Sequence, residues 1–432
     1  MLYNVDCNKN NYEKLLFSLV HKGVNENNKR IKLVASIIHD VKKNGNKALF
    51  KYSKKYDKKI FKKPQDILVS KEEILEASKL CTKEFKNSIR LAIKRIKNYQ
   101  KRLMPKSLFF KDSLGVNLGC IWSPLSSCCL YVPGGKALYP SSVLMNAIPA
   151  QVAGVKRIAI VTPTINDKVS PEILIAAKEA NISEIYKVGG AQAIAALTFG
   201  TETIKKVDKI VGPGNAYVAE AKKQVYGYVG IDSIAGPSEI LIIADESSNP
   251  EWVAMDLLSQ AEHDEEARCI LVSNSQRLIE KVNYYLKYFL NTITRKKIAE
   301  KSLKDNGFSV FIKNIDDAHL IANYIAPEHL EIMTKNKNIL AKKINNAGAI
   351  FIGDYTPEAF GDYIAGPSHV LPTSGNARFD SGLSVLDFLK RTSYIKSNKN
   401  SLKSTLKTIE VIGNSEGLDA HVKSAQIRFS KE

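Results

Sequence analysis

Between residues 157 and 245 the sequence alternates short β-branched runs with amphipathic helical patterns, and few architectures accept that order. Neighbouring parallel strands need a crossover connection, normally a helix, so repeated strand and helix segments predict a parallel sheet covered by helices. Strand patterns fall at 157–161, 184–188, 206–211 and 239–244. Ser170-Pro171-Glu172 supplies a cap, a first-turn proline and an acidic first turn for a helix over 173–180. A helix at 250–262, a strand at 269–273 and a helix at 276–289 come next. The alternation resumes with strands at 309–312 and 349–352, which predicts a second α/β sheet.

The ends of the chain read differently. The first hundred residues are helical in pattern and rich in lysine, with apolar positions such as Ile89, Ile93 and Ile96. Residues 396–404 are polar and loop-like, and they set off a terminal helix around 416–428 as a movable arm.

Composition narrows the function classes. A length of 432 residues suits roughly two to three domains. The start carries no long apolar core, and no run reaches the roughly 18 apolar residues of a membrane span, so a cytoplasmic protein away from membranes is expected. The net charge of +19 raises the question of nucleic acid. Its lysines are scattered at helical spacings without interleaved aromatics, so solvated helix faces are expected and no nucleic-acid partner. The six cysteines form no Cys-x-x-Cys pair, and Cys128-Cys129 lies in an apolar stretch that reads as a core strand.

The chemistry concentrates on histidines. His263 and His329 each follow a glutamate, in Ser259-Gln-Ala-Glu-His263 and Ala326-Pro-Glu-His329. An imidazole beside a carboxylate places two proton-handling groups together, and neutral imidazole also binds metal. Gln260 and His263 are three apart near a helix end, on one face, where both can grip one ion; a polar helix end with a capping histidine has the same pattern. Asp362 and His421 complete a mixed nitrogen and oxygen set that suits zinc and also admits manganese. Pro327 ends the preceding helical pattern, so Glu328 and His329 are expected on an exposed loop. His369 lies in another turn-rich segment. Glycine clusters at 134–135, 189–190, 212–214 and 236 follow apolar runs, as loops at strand ends where ligands of open α/β sheets bind. None is Gly-x-Gly-x-x-Gly, so spacing alone does not indicate a dinucleotide.

Taken in order, these segments resemble histidinol dehydrogenases. The likeness runs from about Tyr131 to His421 through Tyr131-Val-Pro-Gly-Gly135, Tyr139-Pro-Ser-Ser-Val-Leu-Met145, Gly189-Gly-Ala-Gln192 and Gly212-Pro-Gly-Asn215. It continues through Ala235-Gly-Pro-Ser-Glu239, the two Glu-His segments, Gly366-Pro-Ser-His-Val-Leu-Pro-Thr373 and Glu416-Gly-Leu418. The resemblance implies oxidation of L-histidinol to L-histidine with NAD through bound histidinaldehyde, the last steps of histidine biosynthesis, with one zinc per site. It implies metal ligands Gln260, His263, Asp362 and, from the other subunit, His421. Substrate contacts are implied at Ser238, Gln260, His263, His329, Asp362, His369, Glu416 and His421, and NAD contacts at Tyr131, Gln192 and Asn215. His329 is the expected base of the alcohol step and Glu328 the group that activates water for the second. The alternative on the same ligands is a zinc hydrolase using metal-bound water.

The implied fold is α/β: two incomplete Rossmann-like parallel-sheet domains, a small N-terminal helical segment (1–25) and a C-terminal arm (383–432), in a domain-swapped homodimer. Residues 26–131 and 239–382 are expected to form the metal- and substrate-binding domain, and 132–238 the NAD-binding domain.

Overall fold

The computed structural model describes residues 2–7, 11–20, 28–134, 139–164, 167–234 and 236–429. Residues 21–25 of the expected N-terminal segment, together with Gly135 and Ala235, lie outside them. The chain divides into two compact units: residues 1–103 with 126–388, and residues 104–125 with 389–432.

Strand β1 (Tyr3–Cys7) opens the chain, and β2 (Leu108–Lys111) and β3 (Asn117–Pro124) come after a run of helices. Next are β4 (Ser127–Tyr131), β5 (Arg157–Val161), β6 (Glu184–Tyr186), β7 (Lys209–Val211) and β8 (Gly230–Ile231). A third group holds β9 (Glu239–Ala244), β10 (Arg268–Ser273), β11 (Gly307–Ile312), β12 (His329–Met333) and β13 (Ala349–Ile352), and β14 (Leu389–Lys396) is last.

The larger unit carries two parallel sheets, in the orders β6-β5-β4-β7-β8 and β1-β11-β10-β9-β12-β13. Apart from the edge strand β1, each winds outward from a middle strand, β4 or β9, and then returns to that strand's other side. The reversals fall between β4 and β7 in one sheet and between β9 and β12 in the other. Such a reversal opens a crevice where loops from neighbouring strands diverge. The central strands are buried on both faces: all six residues of β9 are inaccessible, as its uninterrupted run Glu-Ile-Leu-Ile-Ile-Ala requires.

The expected α/β class is therefore present, with local corrections. Residues 3–7 of the supposed helical N-terminus form an edge strand, because Tyr3 to Cys7 pair with Phe308 to Ile312 and bury Val5 and Cys7 beside β11. The helix Asn28–Tyr56, expected in the metal-binding half, packs Val34, Ile37, Val41 and Leu49 into the core beneath β4, β5 and β7, and β4 is the middle strand of that same sheet. Apolar surface dictated that placement, since the face fits the alanine-rich helix Gly190–Phe199.

The smaller unit was not foreseen as a sheet. Its strands are antiparallel, in the order β14-β3-β2, with Leu389 to Lys396 paired along the whole of β3. Where a loop was expected at 396–404, a helix Lys399–Ser415 begins. Asn398 caps it by accepting from Ser401 N at 3.0 Å, and Leu402, Leu406, Ile409 and Ile412 recur at helical spacing behind that polar start. The terminal helix Asp419–Gln426 comes after Gly417. No helix among the described residues is long and apolar enough to cross a membrane.

Candidate active site and cofactor edge

The Glu-His pair at 328–329 stands at the amino edge of the six-stranded sheet, not on an exposed loop. Ala326 takes a left-handed conformation after the helix Ala318–Ile325, and Pro327 then feeds the chain into central strand β12. Glu328 is 6% exposed and His329 4%. A helix does end before Pro327, but the pairing of His329 with Ile240 and Ala349 draws the next residues into the sheet and buries them.

One residue of β9 holds both. The Glu239 backbone N–H donates to Glu328 Oε2 at 2.9 Å, and the Glu239 carbonyl accepts from His329 Nδ1 at 3.0 Å. The second bond puts the ring proton on Nδ1, which leaves Nε2 with a lone pair. That Nε2 is buried, has no hydrogen-bond partner, and lies 3.8 Å from Asp362 Oδ1. Burial holds the His329 pKa down to about 3 against the opposing pull of the Glu239 carbonyl, so the ring is neutral.

The helix Pro250–Ala261 brings Gln260 to the same edge. It starts at the far edge, where Asn249 accepts from Glu251 N at 2.8 Å, and runs back antiparallel to the strands. Gln260 is fully buried. Its amide satisfies its neighbours in one orientation, with the nitrogen donating to Glu358 at 2.9 Å (Oε1) and 3.2 Å (Oε2). The amide oxygen then faces His263 Nδ1 at 3.3 Å. Asp362 lies in a π-helical turn, Gly361–Ala365, directly after the short helix Glu358–Phe360. The wide turn sets Glu358 and Asp362 toward His329, and donor atoms of the three lie within 4.8 Å of one another.

The electrostatics of this cluster lack a cation. Burial lowers the pKa of His263 and takes His369 to about 4, so the imidazoles are neutral. Burial also raises Glu328 and Glu358 well above the usual carboxylate range and Asp362 to about 7, with neighbouring carboxylates adding to the first two. Nitrogen and oxygen donors that face one another without enough positive charge suit a bound divalent ion. Gln260 and His263 at 3.3 Å, Asp362 and the bare His329 Nε2 make the residues present a fit for zinc.

The cofactor residues expected from the sequence gather at the carboxyl edge of the five-stranded sheet, around its reversal. Tyr131 ends β4, and its hydroxyl accepts from Gly190 N at 3.1 Å. Gln192, on the helix Gly190–Phe199, donates to Asp57 Oδ2 at 3.0 Å. Asn215 caps the helix Ala216–Val225, accepting from Tyr217 N and Val218 N at 3.0 and 3.2 Å.

The two edges meet through His369. Its Nδ1 donates to the Asp362 carbonyl at 3.2 Å, and its Nε2 lies 3.3 Å from Ser142 Oγ, in the first turn of the helix Pro140–Ala153 beyond the Tyr131 loop. The chain itself crosses between them, since only residues 232–238 separate β8 from β9. Half-buried Ser238 lies at that junction. Gln260, His263, His329, Asp362 and His369 thus share one locus. Glu416 and His421 belong to the smaller unit, where both are exposed.

Sequence reasoning missed Glu358, Asp57, Ser142 and the double use of Glu239. Glu358 left one signal: it stands four residues before Asp362, a spacing that stacks two acids on a helical face. The thiols take no part here. Burial pushes Cys128 up to about 12 and raises Cys129 and Cys269, which leaves all three as unreactive core residues.

The histidinol dehydrogenase family model matches residues 20–429. A histidinol dehydrogenase of Clostridium acetobutylicum is 49% identical over 418 residues, covering 96% of each chain. Histidinol dehydrogenase 1 of Trichormus variabilis is 47% identical over 396 residues, 92% of this chain and 91% of its own. A crystal structure of the histidinol dehydrogenase from Elizabethkingia anophelis superposes with a TM-score of 0.93 at 35% identity, over 100% of this chain and 98% of that one. A match along nearly the whole sequence, on a fold whose buried Glu-His pair stands where the family's segments meet, makes this chain a member of the histidinol dehydrogenase family, a dehydrogenase of histidine biosynthesis.

Proposed function

We propose that the chain oxidises L-histidinol to L-histidine through bound histidinaldehyde, using NAD and one zinc per site. The observation that carries this reading is the His329 ring, neutral, pinned at Nδ1 and bare at Nε2, beside a carboxyl held by the same residue of β9. Membership of the family favours an oxidation over the hydrolase alternative, and the neutral His329 ring supports its reading as the base.

In the alcohol step His329 Nε2 takes the hydroxyl proton. The Nδ1 bond to the Glu239 carbonyl keeps the ring in the right tautomer and stabilises the imidazolium as it forms. Tyr131, Gln192 and Asn215 would hold NAD, which would supply the hydride acceptor for both oxidations. The second oxidation adds water to the aldehyde, and Glu328, its carboxyl held by the Glu239 N–H beside His329, takes that water's proton. Zinc, held by Gln260, His263, Asp362 and the partner subunit's His421, would fix the imidazole and amine of the substrate. Ser238, His369 and Glu416 are the further substrate contacts of this reading. Fixing the reacting carbon in a near-attack geometry contributes at best roughly 7 to 11 kcal/mol to such reactions.

The division of labour is testable by single-turnover rates with each substrate. His329→Asn should slow histidinol oxidation by roughly 100-fold or more. Glu328→Gln should impair histidinaldehyde oxidation far more than histidinol oxidation. Equal losses in both steps for Glu328→Gln would refute the separate roles.

A further inference from the structure

The loop Gly212–Asn215 between β7 and the helix Ala216–Val225 carries one of the proposed cofactor contacts, and its first residue is gripped from both sides. The Gly212 N–H donates to Asp232 Oδ2 at 2.6 Å, and the Gly212 carbonyl accepts from Lys222 Nζ at 3.0 Å. Lys222 also donates to the other oxygen of Asp232. Both charged side chains are inaccessible, at 3% and 4%. Lys222 is two helical turns beyond Asn215 and so lies on the same face, while Asp232 comes directly after β8.

A buried ion pair is an ineffective way to stabilise a fold, because desolvation offsets most of its attraction and apolar residues of similar size often do as well. What apolar residues cannot do is hold an N–H and a C=O of one glycine at once. Gly212 has φ +105°, and a Cβ there would collide with the carbonyl of Tyr131, so the loop rests directly on the last residue of β4. The pair therefore locks Tyr131, Gly212 and Asn215 into one frame at the crevice where the sheet reverses.

We propose that Lys222 and Asp232 are positioning residues for the dinucleotide: they touch no reacting atom, and they set the backbone of the Gly212–Asn215 loop on which NAD lies. This role rests on NAD binding along Tyr131, Gln192 and Asn215, as proposed for the reaction. The pair is absent from the residues that the sequence pattern marks for cofactor binding, since neither belongs to a glycine segment.

The test compares Lys222→Met, Asp232→Asn and the double variant, titrating the zinc-loaded enzyme with NADH calorimetrically and measuring KM for NAD and histidinol. Each single variant leaves one buried charge unpaired and should lose thermal stability. The double variant removes that charge imbalance and should recover most of it. Loss of the charged donor on Gly212 should nevertheless leave NADH affinity and the KM for NAD about 10- to 100-fold worse in the double variant, with kcat at saturating NAD and the KM for histidinol within about twofold of wild type. Wild-type NADH affinity in the double variant would overturn the proposal, as would a loss shared equally by both substrates. Asn215→Ala and Gln192→Ala separate the positioning role from the cofactor edge itself. If they weaken NADH binding while the double variant does not, the positioning role fails alone; if they leave it unchanged, the cofactor edge is wrong.

Discussion

A single residue, Glu239, shows how little of a site has to be read from side chains. Its peptide N–H and C=O fix Glu328 and His329, so any residue but proline in β9 at that register would offer the same two bonds. Sequence marked the two receivers and could not mark the giver, because a backbone contact between residues 90 apart leaves no residue preference. Glu358 escaped for a related reason: its contact with Gln260 spans the sheet edge and carries no local pattern. The Glu358 carboxylate takes the amide N–H groups of Gln260 and so turns the amide oxygen toward His263. Outer groups that orient metal ligands typically contribute 10- to 100-fold in metal affinity. Glu358→Ala should therefore weaken zinc binding by about that factor in a competition with a chromophoric chelator. Glu358→Gln, which keeps an acceptor oxygen, should lose much less. Unchanged affinity in Glu358→Ala would mean that Gln260 is oriented by something else.

At the scale of elements, strands with continuous β-branched runs were legible and polar ones were not. β5 and β9 announced themselves because parallel strands buried on both faces tolerate little else, and β13 did so by its apolar run although it is an edge strand with Ile350 and Ile352 exposed. β12 reads His-Leu-Glu-Ile-Met, and its two polar residues disguise a central strand as a loop. His329 bonds to the Glu239 carbonyl, Glu331 accepts from the Glu358 N–H at 2.7 Å, and β12 stays paired because β9 and β13 flank it on both sides. With the site proposed at its amino edge, the six-stranded sheet would depart from the usual preference of open α/β sheets for ligands at the carboxyl ends, and the proposed cofactor edge of the five-stranded sheet would follow it. Gly348, just before β13, keeps this edge closed: its N–H donates to the Pro327 carbonyl at 2.9 Å, and a Cβ there would meet the Glu328 carbonyl at 2.6 Å. Gly348→Ala should displace Glu328, cost about 1 to 3 kcal/mol in urea unfolding, and lower turnover without altering any group that touches substrate. Wild-type stability and turnover would show that the edge has room to give.

Across the whole molecule, the order of segments was legible and their assembly was not. The alternation of strands and helices predicted two parallel sheets, whereas the place of the helix Asn28–Tyr56 beneath the five-stranded sheet came from apolar faces that only pair in three dimensions. The proposed homodimer makes a distinct claim, that the partner subunit's His421 completes each site. Inactive Asp362→Ala and His421→Ala chains should then rescue each other when mixed. Half the dimers formed at random are mixed, and each has one intact site, so about a quarter of wild-type activity should return. No recovery after confirmed subunit exchange would place His421 in its own chain's site.

The most direct measurement is the number of NADH formed per L-histidinol consumed, followed by absorbance with product identified, before and after treatment with a chelator. Two NADH per histidinol with L-histidine as the product, activity lost on chelation, and recovery on adding zinc are the expected results. One NADH per substrate with free aldehyde released, no NADH at all, or full turnover in the chelated enzyme with its zinc shown to be gone would contradict the proposed reaction.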